Sequence, residues 1–180
     1  MRFLRYPIGL LACVFLLAGV YAAPQPAIKH VESPDSVLFV GNSFTYYNNS
    51  LHNHVRNLMR AGGKPVNVVR AMTISGARLE AHVPAIDAQL ESHEWEVVVL
   101  QGNSLEPIDA DRVAGFRQAA TELARRIHDA GATPAFFMTW ARTNQPAQTA
   151  VLDEAYTGIG NTTRALVVPV GLAFAAATEA

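Results

Sequence analysis

The sequence predicts a parallel, doubly wound α/β domain. Two observations carry that expectation. Five short runs are apolar without alternation, the pattern of strands buried on both faces. Between them lie segments whose apolar residues recur at helical spacing, which supply right-handed crossovers between parallel strands. A chain of 180 residues, 50% hydrophobic and 16% charged, has room for one such domain and its core. No internal repeat or low-complexity segment interrupts it, apart from a Pro/Ala linker.

The first residues stand outside this alternation. Arg2 and Arg5 precede an apolar run from Ile8 to Val20, and small residues follow. Val20-Tyr21-Ala22 fits the signal-peptidase rule, so residues 1–22 read as an export signal cleaved after Ala22 or Ala23. An uncleaved anchor is the alternative, although the run falls short of the roughly 20 residues that span a bilayer. Cys13 lies inside the apolar run, where a lipoprotein box would follow it, so it reads as an ordinary apolar residue of the signal. The exported chain then has no cysteine, and therefore no disulfide, thiolate metal site or cysteine nucleophile. Its expected location is periplasmic or extracellular. Residues 23–35 form the linker, and the folded domain is placed at 36–180.

Within the domain, residues 37–40 form the first strand. Leu51, Val55, Leu58 and Met59 mark one face of the first helix, with Asn49 or Ser50 as cap and Gly62-Gly63 as stop. Residues 66–69 are the second strand. Leu79, Val83, Ile86 and Leu90 repeat at helical spacing, with the helix proper starting near Pro84. Residues 97–100 are the third strand. Val113, Phe116, Ala120, Leu123 and Ile127 trace a long helix, opened by Asp109 or Asp111 and stopped by Gly131. Residues 134–138 are the fourth strand, and a helix over 147–159 follows, with Gly158 and Gly160 near its end. Residues 166–170 are the fifth strand, and 172–177 begin a last helix.

In sheets of this type the chemistry lies at the carboxyl ends of the strands. The first strand runs into Gly41-Asn42-Ser43, the second into a turn containing Gly76, and the third into Gln101-Gly102-Asn103-Ser104. A serine hydroxyl can attack a carbonyl, while backbone N–H groups and an asparagine amide can hold an oxyanion. Each piece alone is what any strand-to-loop turn offers. Together, on three successive strand ends, they point to acyl transfer.

These residues resemble the SGNH, or GDSL-like, serine hydrolases. "FVGNSFT" looks like the family's first block, with Asn42 where Asp is usual. "SGARL" looks like the second block, and "VVLQGNS" like the third, with Gln101 and Ser104 replacing the usual Gly and Asp. The resemblance covers the chain from Val37 onward. It implies a flavodoxin-like, three-layer αβα fold with five parallel strands in the order 2-1-3-4-5. It also implies an esterase with Ser43 as nucleophile and oxyanion N–H, and Gly76 and Asn103 as further oxyanion donors. Gln101-Gly102 resembles a pair found in the carbohydrate acetylesterase branch, which makes Gln101 an alternative donor. The implied substrate is a small carboxylic ester or an acylated carbohydrate. The alternative is a secreted, non-catalytic carbohydrate-binding relative.

The family's fourth block, Asp-x-x-His, has no counterpart in these 180 residues. His30, His52, His54, His82, His93 and His128 all lie at the wrong spacing from any Asp. A fragment of a longer hydrolase is the expectation that follows. His82, six residues beyond Gly76, is placed near the pocket rim as the most plausible resident substitute. His54 reads as a solvated surface histidine. Tyr46, Tyr47 and Trp140 are open to either packing or substrate contact.

Other function classes find no support. With 14 Lys and Arg against 15 Asp and Glu, and no basic run, nothing recommends nucleic acid. "AGGKPVN" follows a helix and lacks the phosphate-loop pattern, and no His, Asp and Glu set has metal-ligand spacing. No cofactor is expected. Asn48-Asn49-Ser50 and Asn161-Thr162-Thr163 have sequon patterns for N-glycosylation.

Overall fold

The computed structural model describes residues 24–27 and 30–179; the export signal expected at 1–22 lies outside the described residues. Five strands form one sheet in the order β2-β1-β3-β4-β5, and every pairing is parallel. The strands are β1 (Ser36–Gly41), β2 (Val68–Thr73), β3 (Val97–Leu100), β4 (Thr133–Phe137) and β5 (Leu166–Val168). The expected strand order and parallel pairing therefore hold.

Alternate residues of the strands face opposite layers. Leu38, Val40, Val98, Leu100 and Phe136 enter the larger core, beneath α3 (Ile86–Leu90), α4 (Val113–Asp129) and α5 (Gln148–Thr163). Phe116, Leu123 and Ile127 of α4 fill that layer, and the Phe116 and Tyr156 rings meet edge to face. On the other face Val37, Phe39, Val97, Val99 and Ala135 pack beneath α2 (Leu51–Ala61). An apolar groove of about 550 Å³ runs beside α2, along Val97, Val99, Phe137 and Val168.

Several boundaries differ from the sequence expectation for physical reasons. The second strand begins two residues later and runs to Thr73. It is an edge strand, where Arg70 is exposed and Ala71, Met72 and Thr73 are only half-buried, so the apolar run stops early. Ser50 stands at the start of α2 with a φ of 63° but makes no cap. Its hydroxyl instead donates to the Thr45 carbonyl at 3.2 Å and meets His52 Nδ1 at 2.7 Å. The segment after β2 splits into a 3-10 turn, Leu79–His82, and α3, with Pro84 between them. Asp109 and Asp111 sit in the loop before α4 without capping it. Gly158 and Gly160 lie inside α5, which ends at a left-handed Arg164. The fifth strand stops at Val168, and α6 (Val170–Glu179) follows almost at once.

Candidate active site

β1 ends at Gly41, and the chain turns directly into a single helical turn, α1 (Ser43–Tyr46), with Ser43 as its first residue. Asn42 makes that turn possible. Its side-chain oxygen accepts from Phe44 N at 3.1 Å, capping the turn. Its side-chain nitrogen donates to the Ala77 carbonyl at 2.9 Å and to the Gly102 carbonyl at 3.4 Å. Ala77 adjoins Gly76, and Gly102 adjoins Asn103. One buried amide thus gathers the three strand ends that the sequence singled out. An ionised Asp at this position could cap the turn but could not donate to two carbonyls.

Gln101 has a different task from the one allowed for it. Its side chain is 3% exposed. The amide oxygen accepts from Asn42 N at 3.1 Å and from Thr45 Oγ1 at 2.9 Å, and the amide nitrogen donates to the Gly102 carbonyl. Gln101 therefore braces the turn around Ser43 from the neighbouring strand. Gly41 must be glycine here: a Cβ would overlap Thr45 Oγ1 and stand 2.6 Å from Gln101 Oε1.

The Gly76 turn is exposed. Ala77 N donates to the Ile74 carbonyl at 3.1 Å, and Gly76 has a φ of 65° at the third position, where a side chain would be strained. Ile74 N donates to the Gly41 carbonyl at 3.0 Å, and Tyr46 OH donates to Ser75 Oγ at 3.0 Å, so the turn docks onto the one carrying Ser43.

After β3, Asn103 and Glu106 close a reciprocal turn. Glu106 N donates to the Asn103 carbonyl at 3.1 Å, and Glu106 Oε2 accepts from Asn103 N at 2.9 Å. Glu106 was not singled out in the sequence, yet Asn103-Ser104-Leu105-Glu106 has the spacing of a capping box, in which the fourth side chain reaches back to the first N–H.

What these bonds leave unspent is informative. Ser43 N, Gly76 N and the Asn103 side-chain amide have no hydrogen-bond partner among the described residues. Neighbouring donors on the same turns, Asn42 N, Phe44 N, Ala77 N and Asn103 N, are all engaged. Ser43 Oγ is also free of protein partners among the described residues.

His82 is not at a pocket rim. It is fully buried behind the end of β1, and neither ring nitrogen has a hydrogen-bond partner. Burial holds its pKa below the usual value. The nearby Gly41 carbonyl acts weakly the other way, without a bond of ordinary geometry. His54 is exposed, with Nε2 2.6 Å from the Asn48 carbonyl. Burial lowers the His52 pKa, with a smaller push from Arg56.

The end of β4 adds aromatic surface. Trp140 lies between Phe44, stacked at 4.7 Å, and Phe174 of α6, tilted at 4.8 Å. Thr139 Oγ1 donates to the Ser104 carbonyl at 2.7 Å, tying this end to the Asn103 turn. Among the described residues no group of His, Cys, Asp and Glu can hold a metal ion, and no helix is long and apolar enough to cross a membrane.

No protein-family model matches the chain, and no curated protein matches it in sequence. Solved structures do match. A protein from Slackia heliotrinireducens assigned to the SGNH hydrolases superposes with a TM-score of 0.62 at 23% identity, over 78% of this chain and 81% of its own. AlinE4, an SGNH-hydrolase family esterase, gives 0.62 at 18% identity, over 79% of each chain. An acetyl xylan esterase gives 0.59 at 11% identity, over 73% of this chain and 75% of its own. The fold reached by this chain is that of the SGNH hydrolases and GDSL-family esterases.

Proposed function

We propose that this chain is an exported serine ester hydrolase that cleaves a carboxylic ester, such as an acetyl or acyl group on a carbohydrate. The observation that carries the reading is a set of three unspent donors, Ser43 N, Gly76 N and the Asn103 amide, on turns that the Asn42 side chain ties together, with a Ser43 hydroxyl that has no protein partner among the described residues. In this mechanism Ser43 Oγ attacks the ester carbonyl. The three donors stabilise the oxyanion as charge develops on it. The tetrahedral intermediate collapses with loss of the alcohol, which takes up the proton given up by Ser43, and water then hydrolyses the acyl-serine to the acid and free serine. The acetyl xylan esterase among the structural neighbours supports a carbohydrate ester.

A serine hydroxyl needs a base to take its proton. No Asp-x-x-His occurs in the 180 residues, and His82 is buried with no hydrogen bond to Ser43 Oγ. These residues alone should therefore show only the slow turnover that binding and an oxyanion hole provide, roughly 10³–10⁴ over water.

The test is turnover of p-nitrophenyl acetate and labelling of Ser43 by a fluorophosphonate. Both should be slow in this chain and should rise by orders of magnitude when a C-terminal Asp-x-x-His segment is appended. In the extended chain Ser43→Ala should abolish the gain, and Asn103→Ala should lower turnover by about 10²–10³. Brisk Ser43-dependent turnover by the 180 residues would mean that a resident base exists. No Ser43-dependent turnover in either chain would sink the reading. A non-catalytic carbohydrate-binding role is the second reading, favoured by the Phe44–Trp140–Phe174 row, whose outer rings are exposed and whose middle ring is half-buried. It requires oligosaccharide binding that Ser43→Ala leaves intact.

A further inference from the structure

Glu106 is 1% exposed and forms no ion pair among the described residues. A carboxylate in that position is expensive to bury unless its oxygens find donors. Oε2 finds two, both backbone N–H groups: Asn103 N at 2.9 Å and Leu79 N at 3.4 Å. Those amides belong to different strand ends. Asn103 is on the turn after β3, and Leu79 opens the 3-10 turn three residues beyond Gly76. Gly102 lets the carboxylate come this close, since a Cβ there would stand 3.2 Å from Oε2 and 3.3 Å from the Phe116 ring.

We propose that Glu106 is a positioning residue, a buried latch that holds the Asn103 turn and the Gly76 turn at a fixed separation, and so sets the width of the oxyanion site. The proposal rests on the ester-hydrolase reading for its catalytic consequence. Its geometric content stands apart from that reading. Glu106 touches no reacting atom; it acts through the two turns that carry Gly76 N and the Asn103 amide. Burial raises its pKa, and the two N–H groups and the Arg78 charge pull it back down.

The experiment uses the chain extended with Asp-x-x-His, as wild type, Glu106→Ala and Glu106→Gln. Gln keeps the shape and one oxygen that can accept both N–H groups. Backbone hydrogen exchange at Asn103 and Leu79 is measured alongside kcat and KM for p-nitrophenyl acetate. In the wild type both amides should be protected. Glu106→Ala should speed their exchange by about tenfold, the loss of one hydrogen bond, while the β3 amides stay protected. It should lower kcat by about 10²-fold, as a slight misplacement of catalytic groups does, with KM changed less than about threefold. Glu106→Gln should stay within about threefold of wild type on every readout.

Unprotected Asn103 or Leu79 amides in the wild type would overturn the latch. So would unchanged kcat in Glu106→Ala, or a Glu106→Gln variant that falls as far as Glu106→Ala. If Glu106→Ala fails to fold, wild-type protection and the Glu106→Gln result decide the matter alone. A wild type without Ser43-dependent turnover sinks the ester-hydrolase reading instead, and exchange at the two amides then decides the latch.

Discussion

The turn leaving β1 is buried and tied from within, whereas the turn leaving β2, one strand away, is exposed. Around Asn42, the Gln101 amide oxygen takes both Asn42 N and Thr45 Oγ1, and the Asn42 side chain caps the turn it sits in. Around Gly76 the internal support is a single turn bond, Ala77 N to the Ile74 carbonyl. Its remaining ties run outward: Ile74 N to Gly41, Ala77 O to Asn42, Leu79 N to Glu106, and Ser75 Oγ to Tyr46. The difference implies an order of dependence. The Ser43 turn is set by the sheet, and the glycine turn takes its position from the Ser43 turn. Damage to the first should spread to the second, and damage to the second should stay local.

The largest expected break is Gly41→Ala. The new methyl overlaps Thr45 Oγ1 and crowds the Gln101 amide, both buried and bonded to each other. Overpacking of this kind costs about 1–3 kcal/mol. Ser43 would move with its turn, and labelling by a fluorophosphonate should slow by about 10²-fold. Thermal unfolding and labelling rate check both halves. A normal labelling rate would mean that the brace does not set the position of Ser43.

Next comes Asn42→Asp. The carboxylate keeps the cap to Phe44 N but faces the Ala77 and Gly102 carbonyls with no proton to give. An unmade buried bond of this sort costs about 1–3 kcal/mol. Loss should appear in the glycine turn, as faster amide exchange at Ala77, before it appears in α1. Equal exchange in both turns would remove the proposed order of dependence.

How much of this was legible in the sequence follows the same division. Residues 97–100 were placed to the residue because β3 is central and apolar on both sides. The β2 boundaries slipped because, on this edge strand, every residue but Val69 is only partly buried or exposed. Ser43, Gly76 and Asn103 could be marked because chemistry at strand ends leaves a recognisable order of residue types. Glu106 could not, and His82 was marked for a place at the pocket rim that it does not take. A glutamate six residues past β3 looks solvated in one dimension, and a histidine beside Glu80 and Ala81 looks half-exposed at a pocket rim. The packing of α4 against the 3-10 turn buries His82, and that contact is set by the tertiary fold. Gln101 read as a spare donor because sequence order does not show that its amide points back at Asn42.

His82 provides a test at the junction of the two turns. Its folded pKa is depressed by burial, so the unfolded chain takes up the proton first, near 6.5. Stability should be unaffected by this group above that pH. It should fall as pH drops below 6.5 toward the depressed value, by about 1.4 kcal/mol for each pH unit between them. His82→Leu lacks the proton site. Urea midpoints at pH 7.5 and 5.5 should show the wild type losing more stability than His82→Leu over that interval. Glu106 is present in both chains and cancels from the difference. Parallel losses would show that the ring meets water in the folded state.

The smallest effect belongs to Tyr46→Phe. The bond from Tyr46 OH to Ser75 Oγ is exposed, so water replaces it at little cost, within about 0.5 kcal/mol. Ser43 labelling should stay within about twofold of wild type. Amide exchange should quicken only at Ala77, whose N–H closes the turn that the bond steadies, because nothing in the Ser43 turn leans on it. The comparison with Gly41→Ala is what gives this mild variant its value. If Tyr46→Phe slowed labelling as severely, the glycine turn would be steering the Ser43 turn through α1. The direction of dependence would then be the reverse of the one drawn from Asn42 and Gln101.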